Sequence, residues 1–340
     1  MQKKVVLSGI RATGLLHLGN YLGVLTRFAE MSKNNSYKSL FFVADLHTLT
    51  TLKEARMIQR HMPNIVIDYL AAGISLENSF IYLQSDIPQV TELAWYLSCI
   101  TPAKDLESLP TYKDKVAKHP EDVNAGLFNY PVLMAADIIG PQADLVPVGK
   151  DQQAHLELTV SLVKRLNHLY KTHFPIPDAL INEMITVPGL SAMGENGFPK
   201  MGKSDGNTIV LSEIPGDTWQ KIKTAPTDPN RRLRTDVGNP EHCSIFQLHK
   251  LISAPDEINW SKNGCEKAEI GCIDCKKLLS VNVNSLLEEF RERRKELVEK
   301  PNLIRDVLEA GKAHVTPIFN ETIAVVRDRI GIKEMIFGGG

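Results

Sequence analysis

Two lysines three residues apart, Lys200 and Lys203, sit in the loop Phe198-Pro199-Lys200-Met201-Gly202-Lys203-Ser204-Asp205-Gly206-Asn207. Two ammonium groups on a flexible loop can neutralise a leaving pyrophosphate as charge develops on it. A second set of chemistry-bearing residues stands far upstream, in Ser8-Gly9-Ile10-Arg11-Ala12-Thr13-Gly14-Leu15-Leu16-His17-Leu18-Gly19-Asn20-Tyr21-Leu22-Gly23. Glycines after an apolar strand let a phosphate or a base approach the backbone closely. The helix start that follows offers free N–H groups and a positive dipole end to an anion. His17 and Asn20 lie three apart at that start, so they can face one ligand from one side. Either loop alone also reads as an ordinary solvated turn. Together their chemistry is the binding of a nucleotide and the stabilisation of an anionic leaving group.

A third set is made of sulfur. Cys243, Cys265, Cys272 and Cys275 give the spacing C-x21-C-x6-C-x2-C. The closing pair can reach one metal centre with both thiolates. Four thiolates suit structural zinc or an iron–sulfur cluster, and spacing alone does not separate the two. His242 and His249 are nearby alternatives that a complete cysteine set makes unnecessary. The fifth cysteine, Cys99, falls in an apolar helical pattern and reads as core. The chain of 340 residues carries a net charge of −1, so it has no global attraction to nucleic acid. Any RNA contact must come from local basic patches. Arg231, Arg232 and Arg234 are the better candidates for phosphate contacts. The run Arg291-Glu292-Arg293-Arg294-Lys295 mixes acid with base and reads as a solvated helix face. No apolar run approaches the roughly 20 residues of a membrane span. Val5-Val6-Leu7 is too short for a signal peptide and reads as a core strand, so a cytoplasmic location is expected.

The elements that must position these residues alternate along the first part of the chain. Val5-Val6-Leu7, Leu40 to Ala44, Ser79 to Leu83 and Leu145 to Val148 read as strands. Leu18 to Met31, Leu52 to Ala72, Thr91 to Ile100 and Gln152 to Tyr170 read as helices. This predicts an α/β fold, a Rossmann-type parallel sheet with helices on both faces. Beyond it, Pro215-Gly216-Asp217 opens a helix with Asp217 as N-cap. Ser285 to Lys300, Asn302 to Val315 and Phe319 to Ile330 read as further helices. The expected organisation is a catalytic domain over 1–208 and a mostly helical domain over 209–340.

The two loops, in this order and at this separation, resemble the paired HIGH and KMSKS signatures of class I aminoacyl-tRNA synthetases. Between them, Leu127-Phe128-Asn129-Tyr130-Pro131-Val132-Leu133-Met134-Ala135-Ala136-Asp137 and Val146-Pro147-Val148-Gly149-Lys150-Asp151-Gln152 resemble the tryptophan-specific branch more closely than the tyrosine-specific one. Gly19-Asn20-Tyr21 and Val43-Ala44-Asp45-Leu46-His47 carry the same resemblance, which extends over nearly the whole chain. It implies activation of L-tryptophan by ATP with Mg²⁺, transfer to tRNA(Trp), and a homodimer. It implies that His17, Asn20, Lys200, Lys203 and Ser204 serve the chemistry. ATP would meet Gly9, Arg11, Thr13, Gly19, Lys113, Gly149, Asp151 and Met201. Asp137 would accept from the indole N–H, Tyr130 and Gln152 would hold the amino group, and Leu7, His47, Met134, Val146 and Val148 would line the pocket. Met134 and Asp137 share a helix face, and an apolar side chain beside a lone carboxylate suits a flat apolar ring with one N–H donor.

The cysteine pattern resembles that of a subset of bacterial members with a [4Fe–4S] cluster in the helical domain, which favours the cluster over zinc. Two positions depart from the family pattern. Gly202 stands where serine is usual, and Arg11 where glutamine is frequent. The alternatives are a tyrosine-specific ligase, a small-molecule adenylyltransferase, and a non-catalytic RNA-binding or sensing paralogue.

Overall fold

The computed structural model describes residues 3–118, 120–149, 152–180 and 185–332. Five strands form one all-parallel sheet in the order β3-β2-β1-β4-β5. They are β1 (Lys4–Ile10), β2 (Tyr37–Val43), β3 (Ser79–Leu83), β4 (Leu145–Pro147) and β5 (Asp178–Leu180). β1 and β2 pair along their whole length, from Lys4 opposite Tyr37 to Ile10 opposite Val43. Successive side chains of a strand point to opposite faces, and here both faces are covered. Val6, Phe41 and Val43 join one apolar cluster with Phe28, Ile65 and Tyr69. Leu7, Leu40 and Phe42 join the other with Val132, Leu162 and Phe319.

The helices of the sheet region are α1 (Leu18–Asn20) and α2 (Thr26–Lys33), joined by a π turn at Tyr21–Leu25, then α3 (Asp45–Thr48), α4 (Ala55–Ala71), α5 (Gln89–Ile100), α6 (Ala103–Glu107), α7 (Pro110–Lys118), α8 (Ala125–Ile139) and α9 (Gln153–Tyr170). Those that follow are α10 (Pro215–Thr224), α11 (Ser244–Ile252), α12 (Pro255–Glu266), α13 (Cys272–Val298) and α14 (Pro301–Ile330). The predicted Rossmann-type sheet and the helical character of the later chain are both present.

Three local expectations are corrected. The N-cap of α10 is Ile214, and Asp217 falls inside the first turn. The two helices expected across 302–330 are one, continuous through Pro317. Cys99, expected in the core, is exposed.

The last helix also returns to the sheet. α14 lies on the edge strand β3 so closely that a Cβ at Gly311 would stand 1.9 Å from the Ile81 carbonyl oxygen. His314 stacks face to face on Phe80, with ring centroids 3.6 Å apart. A covered edge cannot template pairing with another strand. Among the described residues no helix is long and apolar enough to cross a membrane.

Candidate active site

In an open parallel sheet, ligands bind beyond the carboxyl ends of the strands where the winding reverses. Here that point lies between β1 and β4, and a cleft of about 960 Å³ opens there. Leu7 to Arg11 line one side and Val146 to Val148 the other. The walls carry both expected sets. Thr13, His17, Asn20 and Lys203 stand at one part of the lining, and His47, Tyr130, Met134, Asp137 and Gln152 at the other.

The two loops, nearly two hundred residues apart, are tied by backbone pairing. Leu18 N–H donates to Ile209 O at 2.8 Å, and Leu211 N–H to Leu16 O at 2.9 Å. Met201 is buried and anchors its loop through an N–H to Val187 O at 2.9 Å. The Asn207 side chain accepts from Gly202 N–H at 3.0 Å and donates to Ser191 Oγ at 3.0 Å. Lys203 crosses to the first loop and donates to Gly14 O at 2.8 Å. Gly14 holds φ +150°, a conformation that L side chains rarely adopt. Burial lowers the Lys203 amine to about 8. His17 is brought down to about 4, by burial first and then by Lys203 and Lys200, so it stands neutral. The Asn20 side chain is turned onto the His17 backbone N–H at 3.1 Å. Lys200 is exposed and outside the cleft lining. A Cβ at Gly202 would meet Asp205 Oδ2 at 3.0 Å, so the glycine relieves a tight approach.

At the other part, Asp137 is buried and takes its hydrogen bonds from two side chains. His47 Nε2 lies 2.8 Å from Oδ2. Gln84 Nε2 donates to both oxygens, at 2.8 and 2.9 Å. Burial pushes the Asp137 carboxyl above the usual range, and the His47 and Gln84 contacts oppose that push. The Tyr130 hydroxyl meets His155 Nε2 at 2.8 Å and Thr111 Oγ1 at 2.9 Å. Lys115 Nζ stands 5.3 Å over the Tyr130 ring. Lys115 lines the cleft, whereas Lys113 on the same helix is exposed and does not. Arg11 lines it too, donating to Thr50 Oγ1 at 3.4 Å and also to Thr51, while its buried Nε has no partner. Gly9 lines the cleft, whereas Gly19 and Gly149 are not part of its lining. Asp151 and the Ser204 side chain lie outside the described residues. Gln84, Thr111 and His155 were not legible as site residues, because their partners are distant in sequence.

The four cysteines converge elsewhere, around one small cavity. Cys243 precedes α11, Cys265 ends α12, and Cys272 and Cys275 open α13. Burial pushes the Cys275 thiol up to about 12, and raises Cys243 and Cys265 as well. A Cβ at Gly238 would stand 2.5 Å from Cys265 Sγ, so only glycine lets the backbone pass. Among the described residues, no three histidine, cysteine or carboxylate side chains are close enough to grip a single metal ion. Arg231, expected with its neighbours at a phosphate, is turned inward. It donates to Cys265 Sγ at 3.5 Å and to Ile270 O at 2.6 Å. Arg232 and Arg234 are exposed.

The family profile of the class I tRNA synthetases (W and Y) matches residues 2–288. The chain belongs to that family. Within it, a tryptophan–tRNA ligase from Deinococcus radiodurans is 38% identical over 97% of this chain and 99% of its own length. One from Thermotoga maritima is 37% identical, over 95% of this chain and 97% of its own. The crystal structure of a Campylobacter jejuni tryptophanyl-tRNA synthetase, complexed with ADP and tryptophan, superposes with a TM-score of 0.85 at 32% identity. It covers 96% of this chain and 99% of its own.

Proposed function

We infer that this chain condenses L-tryptophan with ATP to tryptophanyl-adenylate and transfers the aminoacyl group to tRNA(Trp). One observation carries the choice of amino acid. A buried carboxylate, Asp137, stands in the cleft beside the apolar side chains of Leu7, Met134, Val146 and Val148. A site built to bond one polar atom strongly rejects analogues that lack it. Asp137 accepts from the indole N–H, and Tyr130 and Gln152 hold the substrate amino group. The carboxylate of tryptophan then attacks the α-phosphorus, and pyrophosphate leaves. Lys203 and Lys115 stabilise the developing charge, with Lys200 closing over them as its loop moves. Mg²⁺ arrives bound mainly through the phosphates. No covalent enzyme intermediate is needed, because positioning and charge stabilisation carry this class of reaction.

The test is tryptophan-dependent ATP–pyrophosphate exchange, with tyrosine as the control. Exchange with tyrosine instead would reassign the amino acid. No exchange with any amino acid, alongside retained tRNA binding, would make the chain an RNA-binding paralogue.

Our reading of the cysteines is a [4Fe–4S] cluster held by Cys243, Cys265, Cys272 and Cys275. A single zinc ion needs all four sulfurs within about 2.3 Å of one point. What supports the cluster is the resemblance of the cysteine spacing to the cluster-bearing subset, together with the four thiols lining one cavity. A cluster would bind the loop before α11 to α12 and α13, and lower the thiol pKa values that burial raises. Iron and acid-labile sulfide in about equal amounts, in protein purified without oxygen, support it. Stoichiometric zinc in colourless protein refutes it. We assign the helical unit over 209–340 to the anticodon arm, with Arg232 and Arg234 at phosphates, and place the enzyme in the cytoplasm as a homodimer.

A further inference from the structure

Gln84 follows β3 in a single helical turn, Gln84–Asp86, and does not line the cleft. Its side chain is wholly buried. Its Oε1 accepts from Leu46 N–H at 3.1 Å and from His47 N–H at 3.3 Å. Only the oxygen of an amide can accept, so these two donors fix which way the group faces. The nitrogen must then point at Asp137, where it straddles the two carboxylate oxygens. One neutral side chain therefore joins α3, the turn after β3 and the substrate-facing helix α8.

We propose that Gln84 is a positioning residue for tryptophan selection, holding Asp137 as an ionised acceptor aimed into the cleft. This rests on the reading of Asp137 as the partner of the indole N–H. An ionised carboxylate offers roughly four acceptor sites. Gln84 and His47 occupy those on the protein side and leave capacity toward the cleft. A protonated Asp137 would present an O–H there and lose its preference for a donor. Burial drives it toward that neutral form, and hydrogen bonds to the charged form resist the drive. The titratable groups that act on Asp137 are His47 and Asp45 on α3 and Tyr82 on β3. Asp45 is itself held by the backbone N–H and the hydroxyl of Ser85. Gln84 is the donor of this set whose own state does not change with pH.

The experiment compares tryptophan with 3-(benzothiophen-3-yl)alanine, which keeps the ring shape but lacks the N–H, in pyrophosphate exchange. The Gln84→Met variant keeps the volume and removes the amide. Its kcat/KM for tryptophan falls roughly ten- to a hundredfold, mostly through KM, as expected for one lost hydrogen bond to a charged group. The sulfur analogue changes by less than about threefold, because it never used the acceptor. The acid limb of kcat/KM for tryptophan moves up by about one pH unit, and KM for ATP is unchanged. Equal losses for both substrates with an unmoved limb would reduce Gln84 to a structural residue and overturn the proposal. A wild-type enzyme with no preference for tryptophan over the analogue would instead sink the reading of Asp137. If the Met variant does not fold, Gln84→Glu retains the acceptor for Leu46 and His47. Two facing carboxylates push the Asp137 titration up, so tryptophan selectivity appears only at higher pH than in wild type, and an unshifted, wild-type profile counts against the proposal.

Discussion

Lys203 is the cation that the two distant loops share. Its amine is lowered to about 8, by burial first, with Asp68 opposing. The charged form that a triphosphate needs is therefore present below pH 8 and lost above it. Because kcat/KM reports the free enzyme, kcat/KM for ATP should fall on the alkaline side with an apparent pKa near 8. A guanidinium stays charged there, so Lys203→Arg should remove that limb while lowering the plateau. Lys203→Ala should cost roughly 10²- to 10³-fold in exchange, the range for one lost charge-stabilising donor, with tryptophan binding by titration unchanged. An alkaline limb that survives in the arginine variant would move its origin to another group.

At the scale of elements, the central strands were readable because each is an apolar run buried on both faces, as Leu40 to Val43 are. β5 was not, since three residues with an exposed Asp178 carry no pattern. α13 begins at Cys272, earlier than its periodicity suggested, with Gly271 at its N-cap. Among site residues, Asp137, Tyr130 and Lys203 were legible from local motifs. Gln84 was not, because its meaning is a contact with Asp137, 53 residues away. α14 was read as two helices because Pro317 lacks an N–H for the ladder. Tertiary packing overrides that local cost, and Gly311 shows how tight the packing is. With the Ile81 carbonyl 1.9 Å from where a Cβ would be, Gly311→Ala must push α14 off β3. Overpacking of this kind costs about 1–3 kcal/mol. The urea midpoint should drop accordingly, although alanine is the better helix former. An unchanged or raised midpoint would show that α14 adjusts freely and does not seal the edge.

At the scale of the molecule, α13 runs from the cysteine-lined cavity to Leu211, which pairs with the first loop through Leu16. Its first turn carries Cys272 and Cys275, and its far end holds Arg291 and Arg294. Glu292, Arg293 and Lys295 of the basic run are exposed as expected, whereas Arg291 and Arg294 form a joint. Arg291 donates to Thr218 Oγ1 at 2.9 Å and Leu211 O at 3.3 Å. Arg294 donates to Asp68 on α4 at 2.7 Å, and also to Asn64. Asp68 is nearly wholly buried, and its carboxyl rises from 3.8 to about 6, because the loss of hydration outweighs the attraction of Arg294. Breaking such a pair by removing one charge can cost several kcal/mol, yet burying it has a cost of its own. The pH dependence separates the two. Below pH 3.8 the folded and unfolded chains both hold the proton, and between 3.8 and about 6 only the folded chain does. Stability contributed by this group is therefore full in acid and declines as pH rises to about 6. Asp68→Asn removes that slope. Measured by urea unfolding at about pH 4 and about pH 7, wild type should lose roughly 2 kcal/mol relative to the variant over that interval. A gain of wild type over the same interval would mean that the ion pair outweighs desolvation, and that α13 is locked to α4 most firmly at neutral pH.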